Sequence, residues 1–122
     1  ISTKGKLPSL PFVDIKNKIL GKNYDLSISF VGDKKSKELN NKFRNKNYPT
    51  NILSFSNSEV SGELVLNMNK FIKEAPKFNH DIRSFLIFLL IHGCLHLKGM
   101  EHGSIMDKAE KKFFKSITGK LL

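Results

Sequence analysis

The sequence predicts an α+β fold: a small mixed sheet of about four strands packed with helices into an α/β sandwich, with one long apolar helix at its centre. Three observations carry this. Residues 25–31, DLSISFV, alternate Leu26, Ile28 and Phe30 with Ser27 and Ser29, the pattern of a half-buried strand. Residues 11–20 and 104–117 carry apolar side chains at helical spacing instead. Residues 82–98 are apolar on nearly every side, as a helix is when neighbours cover it all round. Helices and strands interleave along the chain, so the elements share one core.

In chain order, residues 2–11 are polar with two prolines and read as an irregular entry with a short edge strand at the start. Pro11 opens a helix at its first position and Gly21 closes it; Phe12, Ile15, Ile19 and Leu20 supply its apolar spacing. After the strand at 25–31, Gly32 turns the chain. Asp33 is expected to cap a helix running to about Asn45, with Leu39 and Phe43 as its apolar contacts. The loop 47–51, NYPTN, leads to a strand over 52–56. Ser61-Gly62 is expected to turn the chain into a strand over 63–66. A short helix over 69–75 stops at Pro76, and Asn79 or Asp81 caps the long helix to about Lys98. Along that helix Phe85, Leu89, His92 and His96 share a stripe. The last helix presents Ile105, Met106, Ala109, Phe113 and Ile117.

The length, 122 residues, suits one domain, 1–122. The longest apolar run, residues 85–91, is seven residues, against the roughly 20 that span a bilayer. No membrane partner and no secretory leader are expected. The single cysteine, Cys94, cannot form an internal disulfide and fits a reducing, cytoplasmic compartment. Lying two residues from each helix histidine, it reads as a buried apolar filler. Net charge is +10, which favours a polyanionic partner, RNA or DNA first. The 19 lysines and 11 asparagines also fit a nucleotide bias in the coding DNA. The only two arginines, Arg44 and Arg83, are more telling, because a chain that uses Lys by default would place Arg where a planar, bidentate donor is needed.

The chemistry concentrates in residues 91–102, IHGCLHLKGMEH, which hold three of the four histidines. His92 and His96 are four apart and stack on one helix face. Gly99 ends the helix, so the chain can bring His102 back toward them. Three converging imidazoles with a fourth position open form the ligand set of a catalytic zinc, in the spacing of the metzincin proteases. Such proteases carry Glu, the general base, directly after the first His. Here that position is Gly93, and a side chain there is expected to face the metal, so glycine leaves space where the base would stand. Two imidazoles buried on an apolar helix with no partner would cost several kcal/mol, which argues against ordinary core histidines.

These blocks resemble the YbeY endoribonucleases, the rRNA maturation factors. His92 to His102 matches the family signature H-G-x-L-H-L-x-G-[YF]-D-H at nine of eleven positions, its free positions included. Residues 39–55, LNNKFRNKNYPTNILSF, match the upstream block LN-x-x-[FY]-R-x-K-D-x-P-T-D/N-V-L-S-F. Gly62-Glu63-Leu64-Val65 stands where the family has its GD-I strand start. Met106 and Glu110 match an M-x3-E pair in the last helix. The resemblance implies a zinc-hydrolase-like (metzincin-like) core around the His-bearing helix. It implies His92, His96 and His102 as ligands of one Zn2+ per chain and Arg44 as an activity residue engaging RNA phosphate. It further implies single-strand RNA cleavage in small-subunit rRNA 3′-end maturation and in ribosome quality control. The partners would be rRNA and the small ribosomal subunit or its proteins. Four departures stand out: Asn47 for Asp, Met100 and Glu101 for the aromatic-Asp pair, and a shortened connection from His102 to Met106.

The expected reaction is phosphodiester hydrolysis. Zinc held by three neutral imidazoles keeps its charge and can acidify water to near pH 7 or polarise a phosphate while the substrate 2′-OH attacks. Arg44 would clamp the phosphate. Lys42, Lys46, Lys108, Lys111, Lys112 and Lys115 could follow the backbone or simply keep the surface solvated. Glu101 would orient a ligand imidazole or act as base. Tyr48 and Phe55 could stack bases, Phe55 also fitting a packing role, and His80 reads as a surface residue. Two rivals remain: a non-catalytic RNA- or ribosome-binding assembly factor with a bound metal, and a zinc-dependent peptide or amide hydrolase, which Gly93 disfavours. Nickel or cobalt could also occupy three histidines.

Overall fold

The computed structural model describes residues 2–4, 10–78 and 80–122. Four strands form one sheet: β1 (Ser2–Lys4), β2 (Asp25–Val31), β3 (Ile52–Ser58) and β4 (Ser61–Asn67), in the order β1-β2-β4-β3. β1, β2 and β4 run parallel, and β3 pairs antiparallel with β4 at the open edge. The helices are α1 (Phe12–Leu20), α2 (Asp33–Arg44), α3 (Met68–Glu74), α4 (Ile82–Leu97) and α5 (Ser104–Thr118), with a 3-10 turn at Ala75–Phe78. The parallel pairs require crossovers, which α1 and α2 supply. No single helix among the described residues is long and apolar enough to cross a membrane.

The expected elements all form, with local corrections. Pro11 sits at the cap of α1 and the helix starts one residue later, while Gly21 ends it at φ 98°. Gly32, not Asp33, caps α2; Asp33 lies in its first turn and accepts a hydrogen bond from Asn67 Nδ2 at 2.8 Å. The buried residues of α2 are Ser36 and Asn40, whereas Phe43 is exposed. Ser36 and Asn40 bond to the loop at Tyr48 and Thr50, while Phe43, one of the expected apolar contacts, packs against Phe55 at the surface. Residues 61 and 62 belong to β4, and the hairpin turns at residues 59–60. Gly62 is required by packing: a Cβ there would strike Tyr24 Oη and lie 2.9 Å from Leu97 Cδ2. Asp81 caps α4, its carboxylate accepting from Ser84 N, and that bond holds the carboxyl below its ordinary pKa. Asn79, the other expected cap, lies outside the described residues.

The main core lies between the sheet and α4. Leu26, Ile28, Leu64 and Leu66 from the strands meet Phe85, Leu86, Ile87, Leu90 and Ile91 from α4, with Ile15, Met106 and Phe114 closing the sides. Ten of the sixteen residues of α4 are buried, so its position is fixed by apolar contact in nearly every direction. Cys94 is among them, a filler as expected, and burial pushes its thiol up to about 12. On α5 Met106, Glu110 and Phe114 are buried and Ala109, Phe113 and Ile117 pack against the core as expected, while Ile105 is exposed and a carboxylate enters the interior. Val65 points away from its neighbour Leu64 by strand alternation. With its register partner Leu53 it is buried outside the main core, and α2 packs against the same strand.

Candidate metal centre

The last turn of α4 carries two imidazoles out of this core. Because His92 and His96 are four apart, their rings meet on one face, nearly perpendicular and 4.6 Å between centres. Helix α4 then stops abruptly. Gly99 takes φ 104°, its N–H donates to His96 O at 2.9 Å, and Met100 N–H donates to Leu95 O at 3.0 Å. A left-handed residue at this position costs glycine little. The reversal brings the His102 ring to 5.0 Å from His92 and 4.7 Å from His96. One ligand atom from each of the three lies within 4.8 Å of the others.

The hydrogen bonds behind the rings determine which nitrogens are free. His92 Nδ1 donates to Glu110 Oε2 at 2.8 Å, and His96 Nδ1 donates to the Met100 carbonyl at 3.0 Å. Both partners are acceptors, so each neutral ring carries its proton on Nδ1 and presents a bare Nε2. Those two Nε2 atoms are 3.1 Å apart. Two lone pairs at that distance repel unless a cation lies between them. Tetrahedral zinc with Zn–N of about 2.0–2.1 Å separates its ligands by roughly 3.3 Å. Burial, and next the neighbouring His92, hold the His96 imidazole below its ordinary pKa, so the ring stays neutral and able to bind a metal. The donor set therefore fits a metal ion, with three protein ligands and one side open to solvent.

That open side is a groove of about 740 Å³. Besides the histidines it is lined by Arg44, Lys46, Tyr48 and Asn51, by Met100 and Glu101, and by Ile52, Ser54 and Ser56 of β3. Arg44 is held in place: its guanidinium donates to Ser54 O at 2.6 Å and lies 5.3 Å from the centre of the Phe55 ring. Phe55 meets Phe43 edge-on at 5.1 Å, consistent with the packing role.

The structure thus brings together His92, His96, His102, Arg44, Lys46 and Glu101. It does not bring Lys42, whose ammonium lies over Phe43 at 5.2 Å, nor Lys108, Lys111, Lys112 or Lys115, none of which lines the groove. The ring of His80 is half-buried, 5.4 Å from Phe114. Two expectations need correction. Glu101 is exposed and the residue bonded to a ligand imidazole is Glu110, only 6% exposed. The M-x3-E pair was the available signal, but it carried no hint of which histidine Glu110 reaches. Gly93 does not face the metal either. A Cβ there would lie 2.7 Å from Leu64 Cδ2 and 2.9 Å from Ile52 Cδ1, so a side chain at 93 would have to displace the methyl groups between α4 and the sheet.

An α+β sandwich whose central helix and following loop bring three imidazoles together at an open groove has a site that could hold a metal ion. Residues 11–121 match the family described as Endoribonuclease YbeY. The chain belongs to that family. The Endoribonuclease YbeY of Mycoplasma mycoides subsp. mycoides is 36% identical over 99 residues, covering 70% of this chain and 60% of the relative. That of Petrotoga mobilis is 37% identical over 108 residues, covering 82% of this chain and 75% of the relative. The chain therefore spans less than two thirds of the Mycoplasma relative's length. The solution structure of TM1509 from Thermotoga maritima is similar with a TM-score of 0.65 and 27% identity, over 88% of this chain and 79% of that one.

Proposed function

We propose that the protein is a zinc-dependent endoribonuclease that hydrolyses phosphodiester bonds in single-stranded RNA. Its substrate would be rRNA at the small-subunit 3′ end, with a part in ribosome quality control, in the cytoplasm. The observation that carries the reading is the placement of the three imidazoles in one groove that Arg44 and Lys46 also line. The names of its relatives, Endoribonuclease YbeY, support the reaction class.

His92, His96 and His102 would hold the ion, which when bound supplies Lewis-acid stabilisation of phosphate charge and acidifies water. Glu110 and the Met100 carbonyl orient two of the imidazoles and fix their tautomers. Arg44, pre-set by Ser54 and Phe55, offers N–H donors to a phosphate oxygen whose charge grows in the transition state. Glu101 is the one carboxylate lining the groove among the described residues, which makes it the proton acceptor for the attacking hydroxyl. A peptidase would place its base directly after His92, and that position faces Leu64 and Ile52 instead. Incubating the protein with labelled single-stranded RNA and, separately, with casein tests the reading. RNA cleavage without proteolysis supports it, and the reverse overturns it.

A further inference from the structure

Two aromatic side chains near the site are candidates to stack a base, and the structure separates them. Phe55 is already engaged by the Arg44 guanidinium over its ring and by Phe43 in a T-shaped contact. Tyr48 lines the groove it shares with the three histidines and is 52% exposed. Its ring has no aromatic partner among the described residues. The other tyrosine, Tyr24, is buried at 7% exposure.

The backbone under Tyr48 is pinned. Asn40, 3% exposed, donates from Nδ2 to Tyr48 O at 2.8 Å. Ser36, 2% exposed, donates to Thr50 O at 2.9 Å and accepts from Thr50 N at 3.0 Å. Both buried polar residues of α2 are thus spent on fixing this loop. The ring is presented on an ordered support, so little conformational entropy remains to be lost when a flat ligand lands on it. Lys46, on the same loop, adds a cation to the same groove.

We propose that Tyr48 forms a nucleobase subsite, stacking an unpaired base next to the phosphate held by Arg44, with Lys46 on a neighbouring phosphate. This rests on the single-stranded RNA reading above and adds a source for its strand preference. Every base has a π-face, so the subsite tolerates sequence. A duplex keeps its bases inside the stack and cannot offer one.

The chain has no tryptophan, so Tyr48→Trp installs a single reporter that can be excited selectively. It is titrated with a short 2′-O-methyl oligoribonucleotide, with an abasic oligonucleotide of equal length, and with the corresponding duplex. Fluorescence polarisation reports binding of the same probes to wild type, Tyr48→Ala and Tyr48→Phe. Quenching by the base-bearing single strand alone is expected. Tyr48→Ala should weaken its binding by about fivefold to a hundredfold, Tyr48→Phe by less than about twofold, with unchanged melting temperatures. Equal binding by Tyr48→Ala, or equal quenching by the abasic strand, overturns the subsite and leaves the RNA reading standing. If wild type binds none of the probes, the RNA reading falls and the subsite with it.

Discussion

Glu110 on α5 and His92 on α4 meet through a hydrogen bond of 2.8 Å, with the carboxylate only 6% exposed. The bond ties the last helix to the metal centre and sets the His92 tautomer. Removing such an outer partner typically costs about 10–100-fold in metal affinity. Glu110→Ala should therefore bind zinc about 10–100-fold more weakly, with Glu110→Gln in between because it keeps an acceptor without the charge. Competition against a chromophoric chelator measures this directly. Wild-type affinity in Glu110→Ala would show that the contact does not support the site.

Gly93 governs how closely α4 lies on the sheet. An added methyl would sit 2.7 Å from Leu64 Cδ2 and 2.9 Å from Ile52 Cδ1, both buried or half-buried in a packed layer. Gly93→Ala should destabilise the fold by about 1–3 kcal/mol, read as a lower urea midpoint. Gly93→Glu should lose more stability and gain no peptidase activity. Proteolysis by a folded Gly93→Glu would contradict the orientation described for this position.

Glu101 and Arg44 divide the proposed chemistry between proton transfer and phosphate binding. Glu101→Gln should lower RNA cleavage by about 10²–10⁴-fold with metal content unchanged. Arg44→Ala should lower it by about tenfold to a hundredfold, again with the metal retained. Arg44→Lys should restore little, because an ammonium cannot lie over Phe55 and reach Ser54 O as the planar guanidinium does. Mass spectrometry of the intact proteins and single-turnover cleavage separate these effects from metal loss.

Cys94 supplies a pH dependence. Burial raises its thiol from an ordinary value of 9.0 to about 12. The folded state therefore keeps a proton that the unfolded state releases above pH 9.0. Its contribution to stability is complete below that pH and is lost as the pH rises toward about 12. The native protein should react with a thiol reagent at mildly alkaline pH only after unfolding, and Cys94→Ala should flatten the alkaline fall in stability. Rapid labelling of the native protein would contradict the burial.

Much of the site was legible because it is local. His92, His96, Gly99 and His102 lie within one helix turn and the reversal that follows, where spacing alone sets geometry. The strand at Asp25–Val31 was equally plain, since its half-buried serines alternate with the buried Leu26 and Ile28. What sequence could not supply is tertiary. Ser61-Gly62 looks like a turn, yet Gly62 is a strand residue that makes room for Tyr24 and Leu97. Gly93 looks like a vacated base position, yet a side chain there would meet Leu64 and Ile52 of the sheet. Glu101 is adjacent to a ligand and Glu110 is 18 residues from His92, so proximity along the chain favoured the wrong carboxylate for orienting the imidazole. Ser36 and Asn40 gave no apolar signal, because they hold a loop by hydrogen bonds.

That the three histidines form a metal-dependent ribonuclease centre is tested most directly by His96→Ala. Metal content by mass spectrometry is measured beside cleavage of a labelled single-stranded RNA, in wild type and variant. Wild type should carry about one metal ion per chain and cleave, and His96→Ala should lose both. A folded His96→Ala protein that lacks the metal and still cuts RNA at the wild-type rate would contradict the assignment.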